Sequence, residues 1–155
     1  MLDWRPTMPY SKILSYDYLR LLDKDPKTQK IIGETYAAVI PVRISYGHRL
    51  SVPFNALVDS GASVNLFPAR FGEQIGINIK KGKLVKLLGI GDKIVFAYSH
   101  KIKLLLGLKV FETYADFSFE QNLPLLGRNG FFNLFQKVIF DENFHQLSLV
   151  LKTKS

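Results

Sequence analysis

The residues of this chain best suited to chemistry lie in one block, Leu57-Val58-Asp59-Ser60-Gly61-Ala62-Ser63. The apolar stretch from Phe54 to Val58 runs straight into a carboxylate, and everything after it is small. An ionised acid at the end of a hydrophobic run is costly unless it is hydrogen-bonded or paired, and desolvation raises its pKa. Gly61 tolerates positive φ and close backbone approach. Ser60 offers a hydroxyl that can lock the loop, while Ala62 and Ser63 keep the surroundings open. Such a loop would present one carboxylate, held rigidly, at a strand end. Asp-Ser-Gly is also an ordinary β-turn tripeptide, so the block alone leaves both readings standing.

Other chemistries find little support. No Gly-x-Ser-x-Gly nucleophile turn is present, and no Gly-x-x-x-x-Gly-Lys phosphate loop. His48, His100 and His145 are far apart and lack metal-ligand spacing. Cysteine is absent, which excludes disulfides and thiolate metal sites. The expectation is therefore no metal and no cofactor. Phe131, Phe132 and Phe135 offer either a stacking platform for bases or core packing, and their place beside a buried run favours the core.

The elements that must position the acid read mostly as β. The segment 35–46 is rich in β-branched and aromatic residues and breaks at Gly47-His48. A second strand ends at Asp59. Phe67, Phe71 and Ile75 are spaced by four, which predicts a short helix with Pro68 in its first turn and Gly76 at its end. Residues 83–106 read as two strands about a Gly89-Ile90-Gly91-Asp92 tip. The segment 109–119 alternates apolar and polar. A buried run then turns at Gly127, with a helix predicted from Asn129 to Phe135, and residues 137–152 read as a hairpin about Asp141–Asn143. Residues 1–30 form a separate segment with Pro6, Pro9 and Pro26, a short helix predicted over Tyr16–Leu22, and a polar turn before Ile31. Trp4, Tyr10, Tyr16 and Tyr18 are candidate anchors for this arm. The predicted class is all-β with one or two short helices.

Three blocks follow one another: Asp59-Ser60-Gly61-Ala62-Ser63 after a hydrophobic strand, Gly89-Ile90-Gly91 thirty residues beyond Asp59, and Gly127-Arg128-Asn129 at the end of an apolar run. In this order and spacing the sequence resembles the retropepsin-like aspartic proteases, the retroviral proteases and their single-domain cellular and bacterial relatives. The resemblance covers roughly residues 36–151. It implies a closed antiparallel β-barrel of retropepsin type at 31–155, preceded by an arm at 1–30. It maps Asp59 to the catalytic acid, Ser60 to the hydroxyl that braces the loops across a two-fold axis, and Gly61 to the loop glycine. It places Ala62, Ser63, Gly89, Ile90 and Gly91 at the substrate, the last three as a flap tip, and sets Arg128 and Asn129 behind the site. Retroviral members carry an acid shortly after the alanine that pairs with the arginine; here that place is Ser63, which leaves Asp116, Glu112 or a backbone carbonyl as partners for Arg128.

The resemblance implies peptide-bond hydrolysis by water activated between two carboxylates that share one proton. Like charges that close cannot both ionise, so the pair titrates in two steps, and aspartic proteases are the established example. This chain has a single Asp-Ser-Gly, so it cannot build the pair alone. A homodimer with an isologous interface supplies the second acid, and activity should then depend on concentration.

The formal net charge is +8, and eight lysines but one acid, Asp92, lie between Lys80 and Lys109. Such a strip is either a footprint for a polyanion or a solvated face that keeps β edges unpaired. Alternation with apolar residues and the rarity of arginine favour the solvated face, so nucleic acid is not the expected partner. A non-catalytic barrel binding an acidic partner or nucleic acid through these lysines is the alternative function. No stretch approaches the ~20 apolar residues of a membrane span, and Asp3 with no apolar run behind it does not read as a secretory signal. The expected setting is cytoplasmic, away from membranes.

Overall fold

The computed structural model describes residues 12–153. The chain forms β1 (Ile13–Asp17), β2 (Leu19–Lys24), β3 (Ile31–Ala37), β4 (Val39–Tyr46), β5 (Arg49–Leu50), β6 (Phe54–Val58) and β7 (Leu66–Pro68), then the one α-helix among the described residues, α1 (Ala69–Glu73). Strands β8 (Lys83–Leu88), β9 (Ile94–Leu106), β10 (Lys109–Ser118), β11 (Leu125–Leu126), β12 (Phe135–Asp141) and β13 (Gln146–Leu151) follow. Short 3-10 turns lie at Ile79–Lys81, Ile90–Asp92 and Phe132–Leu134.

Six strands close on themselves in the order β4, β6, β11, β7, β10, β9, with β9 returning to β4 through the pairs Arg43↔Leu105, Ile44↔Leu104 and Ser45↔Lys103. The barrel is mostly antiparallel, with parallel joints at β6–β11 and β7–β10. Alternation explains which side chains fill it. In β4, Ile40, Val42 and Ile44 are buried while Pro41 and Arg43 point out. In β9, Ile102, Leu104 and Leu106 alternate with exposed Lys101 and Lys103. Phe67 packs edge-on against Phe54 and Phe117, at centroid distances of 5.5 and 5.9 Å. Each such buried ring contributes roughly 1.5–3 kcal/mol of hydrophobic stabilisation. Phe131 and Phe135 are buried in the same cluster, as core packing rather than as a stacking platform.

Two predicted helices are absent. Residues 16–22 are extended instead: Leu14, Tyr16 and Tyr18 face inward while Ile13, Ser15 and Asp17 are exposed, a period of two, and β1 pairs with β13 from Ile13↔Val150 to Asp17↔Gln146. The expected helix from Asn129 to Phe135 shrinks to the 3-10 turn at Phe132–Leu134. Gly130, at φ +112°, breaks the helical path, and Phe135 already belongs to β12. The helix predicted about Phe71 is α1, with Pro68 as its N-cap and Gly76 at φ +86° just beyond it. Tyr18 is buried and its hydroxyl donates to Glu142 at 3.0 Å, whereas Trp4 and Tyr10 lie outside the described residues. No helix among the described residues is long and apolar enough to cross a membrane.

Candidate active site

Asp59 follows the last residue of β6 directly. Strand β6 is fixed on both sides: Leu57 N–H donates to the Pro124 carbonyl at 2.9 Å and Val58 N–H to that of Ala38 at 2.8 Å. Asp59 N–H then donates to the Leu126 carbonyl at 3.0 Å, so the backbone of the acid is locked to β11. The chain turns at once, with Ala62 N–H donating to the Asp59 carbonyl at 3.1 Å. Gly61 N–H donates to Asp59 Oδ1 at 2.8 Å, which holds the carboxylate over its own loop. The side chain is half-buried, with its solvent side facing out of the chain.

Gly61 matters for a different reason from the one its sequence suggests. It does not adopt positive φ. A Cβ on it would stand 3.1 Å from Asp59 Oδ1, so the absent side chain leaves the carboxylate its place. Ser60 and Ser63 are exposed, and the Ser60 hydroxyl forms no hydrogen bond among the described residues.

The Gly127-Arg128-Asn129 block is brought against this loop. Arg128 N–H donates to the Ala62 carbonyl and Asn129 N–H to that of Ser63, both at 2.9 Å, and Val64 bridges Asn129 in parallel. Gly127 is buried where a Cβ would collide with the Val64 and Ala62 backbone. The Arg128 side chain is exposed and makes no ion pair among the described residues. Asp116, one candidate partner for it, is buried instead beside Ser99 and His100. Burial raises the Asp116 pKa above its ordinary value, while the Ser99 hydroxyl and His100 pull it down. Glu112, the other candidate, is exposed.

The β8–β9 hairpin ends in the expected glycine-rich tip. Gly89 N–H donates to the Lys93 carbonyl at 2.7 Å, Gly91 takes φ +72°, and the Ile90 side chain stands fully in solvent. No hydrogen bond among the described residues joins the tip to the Asp59 loop. The root of the hairpin lines a separate cavity: Lys83, Val85 and Ser99 border a space of about 630 Å³ together with Val64, Asn129 and Asp116. Asp59 lies outside that cavity.

Among solved structures, the chain is similar to a retropepsin-like aspartic protease from Rickettsia conorii, with a TM-score of 0.51 and 16% identity over 89% of this chain and 94% of that one. The fold is retropepsin-like. The chain is also similar to the EIAV protease complexed with the inhibitor HBY-793, with a TM-score of 0.47 and 18% identity over 59% of this chain and 82% of that one. No protein-family model and no curated protein sequence matches the chain.

One residue that positions this retropepsin-like loop escaped the sequence reading. Asn65 is fully buried, its Nδ2 donates to the Tyr114 carbonyl at 3.0 Å, and its Oδ1 accepts Gly127 N–H at 3.0 Å. One amide side chain thus ties the segment after Asp59 to β10 and to the end of β11. Thr113 Oγ1 adds a buried bond to the Gly130 carbonyl at 2.7 Å. The available signal was a lone amide, Asn65, set inside the apolar run from Val64 to Phe67; a buried side-chain amide is retained where its bonds are all made.

Proposed function

We propose that this chain is a homodimeric aspartic endopeptidase in which each protomer contributes one Asp59. The observation that carries this reading is the Asp59 loop itself. It sits at a barrel strand end, is pinned by Leu126 and by the 127–129 block, and leaves one side of the carboxylate facing out of the chain. A lone carboxylate cannot be both base and acid in the same step, and Asp59 of the partner subunit supplies the missing group.

In the proposed mechanism, water held between the two carboxylates loses a proton to the ionised one as its oxygen attacks the peptide carbonyl carbon. The protonated one gives its proton to the carbonyl oxygen, forming a tetrahedral gem-diol. Collapse of that intermediate breaks the C–N bond, and the amine leaves with a proton returned by the pair. Ser60 braces the two loops across the axis. Gly89, Ile90 and Gly91 close over an extended peptide, which binds by main-chain pairing with side chains alternating into pockets. Ala62 and Ser63 line the floor of the cleft, while Arg128 and Asn129 support it from behind through their backbone bonds.

The test is cleavage of an unfolded protein at about pH 4 to 6. Asp59→Asn should lower the rate by at least ~10³-fold, within the range expected for lost acid–base catalysis, and a statine-type inhibitor should stop the wild type. Cleavage by Asp59→Asn at the wild-type rate would overturn the proposal. The alternative, a non-catalytic barrel that binds an acidic partner or nucleic acid, draws on the exposure of all eight lysines from Lys80 to Lys109. It expects no cleavage at any pH together with salt-sensitive binding of a polyanion.

A further inference from the structure

Among the described residues, the hairpin of β2 and β3 pairs only with itself. Leu19, Leu21, Leu22, Ile31 and Ile32 are 40, 42, 46, 62 and 68% exposed. A two-stranded ribbon with exposed apolar side chains is marginal in water unless something covers it. The hairpin is nevertheless well defined. Asp25 Oδ1 accepts the Lys27 and Thr28 N–H groups at 2.8 and 2.7 Å, closing the turn. Thr35 donates to Asp23 at 2.9 Å, and Arg20 pairs with Glu34.

Its two faces differ. Leu19 is opposite Ala37 and Leu21 is opposite Thr35, so these side chains share one face. Tyr36, on the other face, stacks on His145 with ring centroids 3.9 Å apart. The Leu19–Leu21 face is thereby turned away from the chain's own β12–β13 turn. The root of the hairpin is equally telling. Ala38, the residue after β3, accepts the Val58 N–H at 2.8 Å, and Val58 precedes Asp59. The hairpin therefore springs from the barrel end that carries Asp59.

We propose that this hairpin is a dimerisation arm, with its Leu19–Leu21 face packed on a second copy of the chain. The proposal rests on the reading of Asp59 as half of a pair, which places the second copy at this end of the barrel. Strand β2 has six residues, which at ~3.3 Å per residue reaches about 20 Å from its root, enough to cross a two-fold axis beside Asp59 and lie on the partner. Strand β13 offers the partner no edge, because β1 and β12 already occupy both of its sides. An isologous arrangement gives each arm the same surface on the other chain.

The experiment is sedimentation of the full chain over a concentration series, with cleavage of an unfolded protein measured in parallel. Wild type, Asp59→Asn and the double variant Leu19→Glu with Leu21→Glu are compared. The wild type should dimerise, Asp59→Asn should dimerise equally well without cleaving, and the double variant should have its dimer Kd raised at least ~100-fold, as for loss of two central apolar anchors. An independent readout on the unaltered chain is amide hydrogen exchange, which should slow at residues 19–24 and 31–37 as concentration passes through the Kd. A wild type that stays monomeric, or a double variant that dimerises as tightly while exchange at these residues is independent of concentration, overturns the arm. A dimer that needs the arm but never cleaves overturns the protease reading and leaves the arm standing.

Discussion

Replacing Gly127 by alanine adds one methyl group where β11 meets the Asp59 loop, and the structure has no room for it. The new Cβ would collide with the Val64 carbonyl oxygen and would lie 2.5 Å from the Val64 carbonyl carbon and 2.8 Å from the Ala62 carbonyl oxygen. All three are backbone atoms, so no rotamer change relieves the overlap. The segment 62–64 must move away from 127–129, and the bonds from Arg128 N–H to Ala62 and from Asn129 N–H to Ser63 stretch or break. Two such bonds are worth about 1 kcal/mol each, and forcing a methyl into a packed site adds roughly 1–3 kcal/mol. The expected loss is therefore about 3–5 kcal/mol, a large part of the ~5–15 kcal/mol that holds a domain together. For a chain of this size that lowers Tm by roughly 6–20 °C. Urea unfolding at one fixed protein concentration is the assay, because a dimer's stability depends on concentration. The midpoint should fall with an unchanged slope. A Gly127→Ala midpoint within about 0.5 kcal/mol of wild type, the scatter of ordinary surface changes, would refute the view that this glycine is set by the loop packed on it.

Three further outcomes follow from the same geometry. Asn65→Ala strands the buried Gly127 N–H, at about 1–3 kcal/mol for an unsatisfied group, and removes the bond to the part-buried Tyr114 carbonyl; a denaturation midpoint equal to wild type would count against the amide bridge. Burial holds the Asp116 carboxyl above its usual value, so the folded chain binds that proton more tightly than the unfolded one. Its contribution favours folding at low pH and is lost as pH rises from the ordinary value of 3.8 through the raised one. Asp116→Asn should flatten that part of the stability–pH curve, and superposable curves for the two proteins would argue against it. Gly61→Ala should reduce cleavage by on the order of 10-fold or more, because a displaced carboxylate is a misaligned one, with little change in urea midpoint; undiminished kcat would speak against the tight seat of Asp59.

Much of the site is legible in the chain because it is local. A hydrophobic strand ending in an acid and followed by small residues, a hairpin about Gly89–Gly91, and a final hairpin about Asp141–Asn143 depend on neighbours in sequence, and each is found where alternation and turn residues place it. Local pattern misled at residues 16–22, where the inward set Leu14, Tyr16 and Tyr18 acquires its meaning only from β13, more than a hundred residues away. It misled again at Asn129–Phe135, where the docking of Gly130 against Asn65 and Tyr114 overrides helix formation.

The sequence by itself determined that an acid, Asp59, closes a hydrophobic strand, that small residues follow it, and in what order the three blocks come. Only the tertiary structure decided that β9 closes on β4, that Asn65 rather than a charged partner of Arg128 ties the site together, and that an apolar hairpin projects beside Asp59. The reason is physical. Propensity and periodicity act between residues a few positions apart, whereas ring closure, a buried amide's two bonds and the direction of an exposed face exist only once distant segments have met.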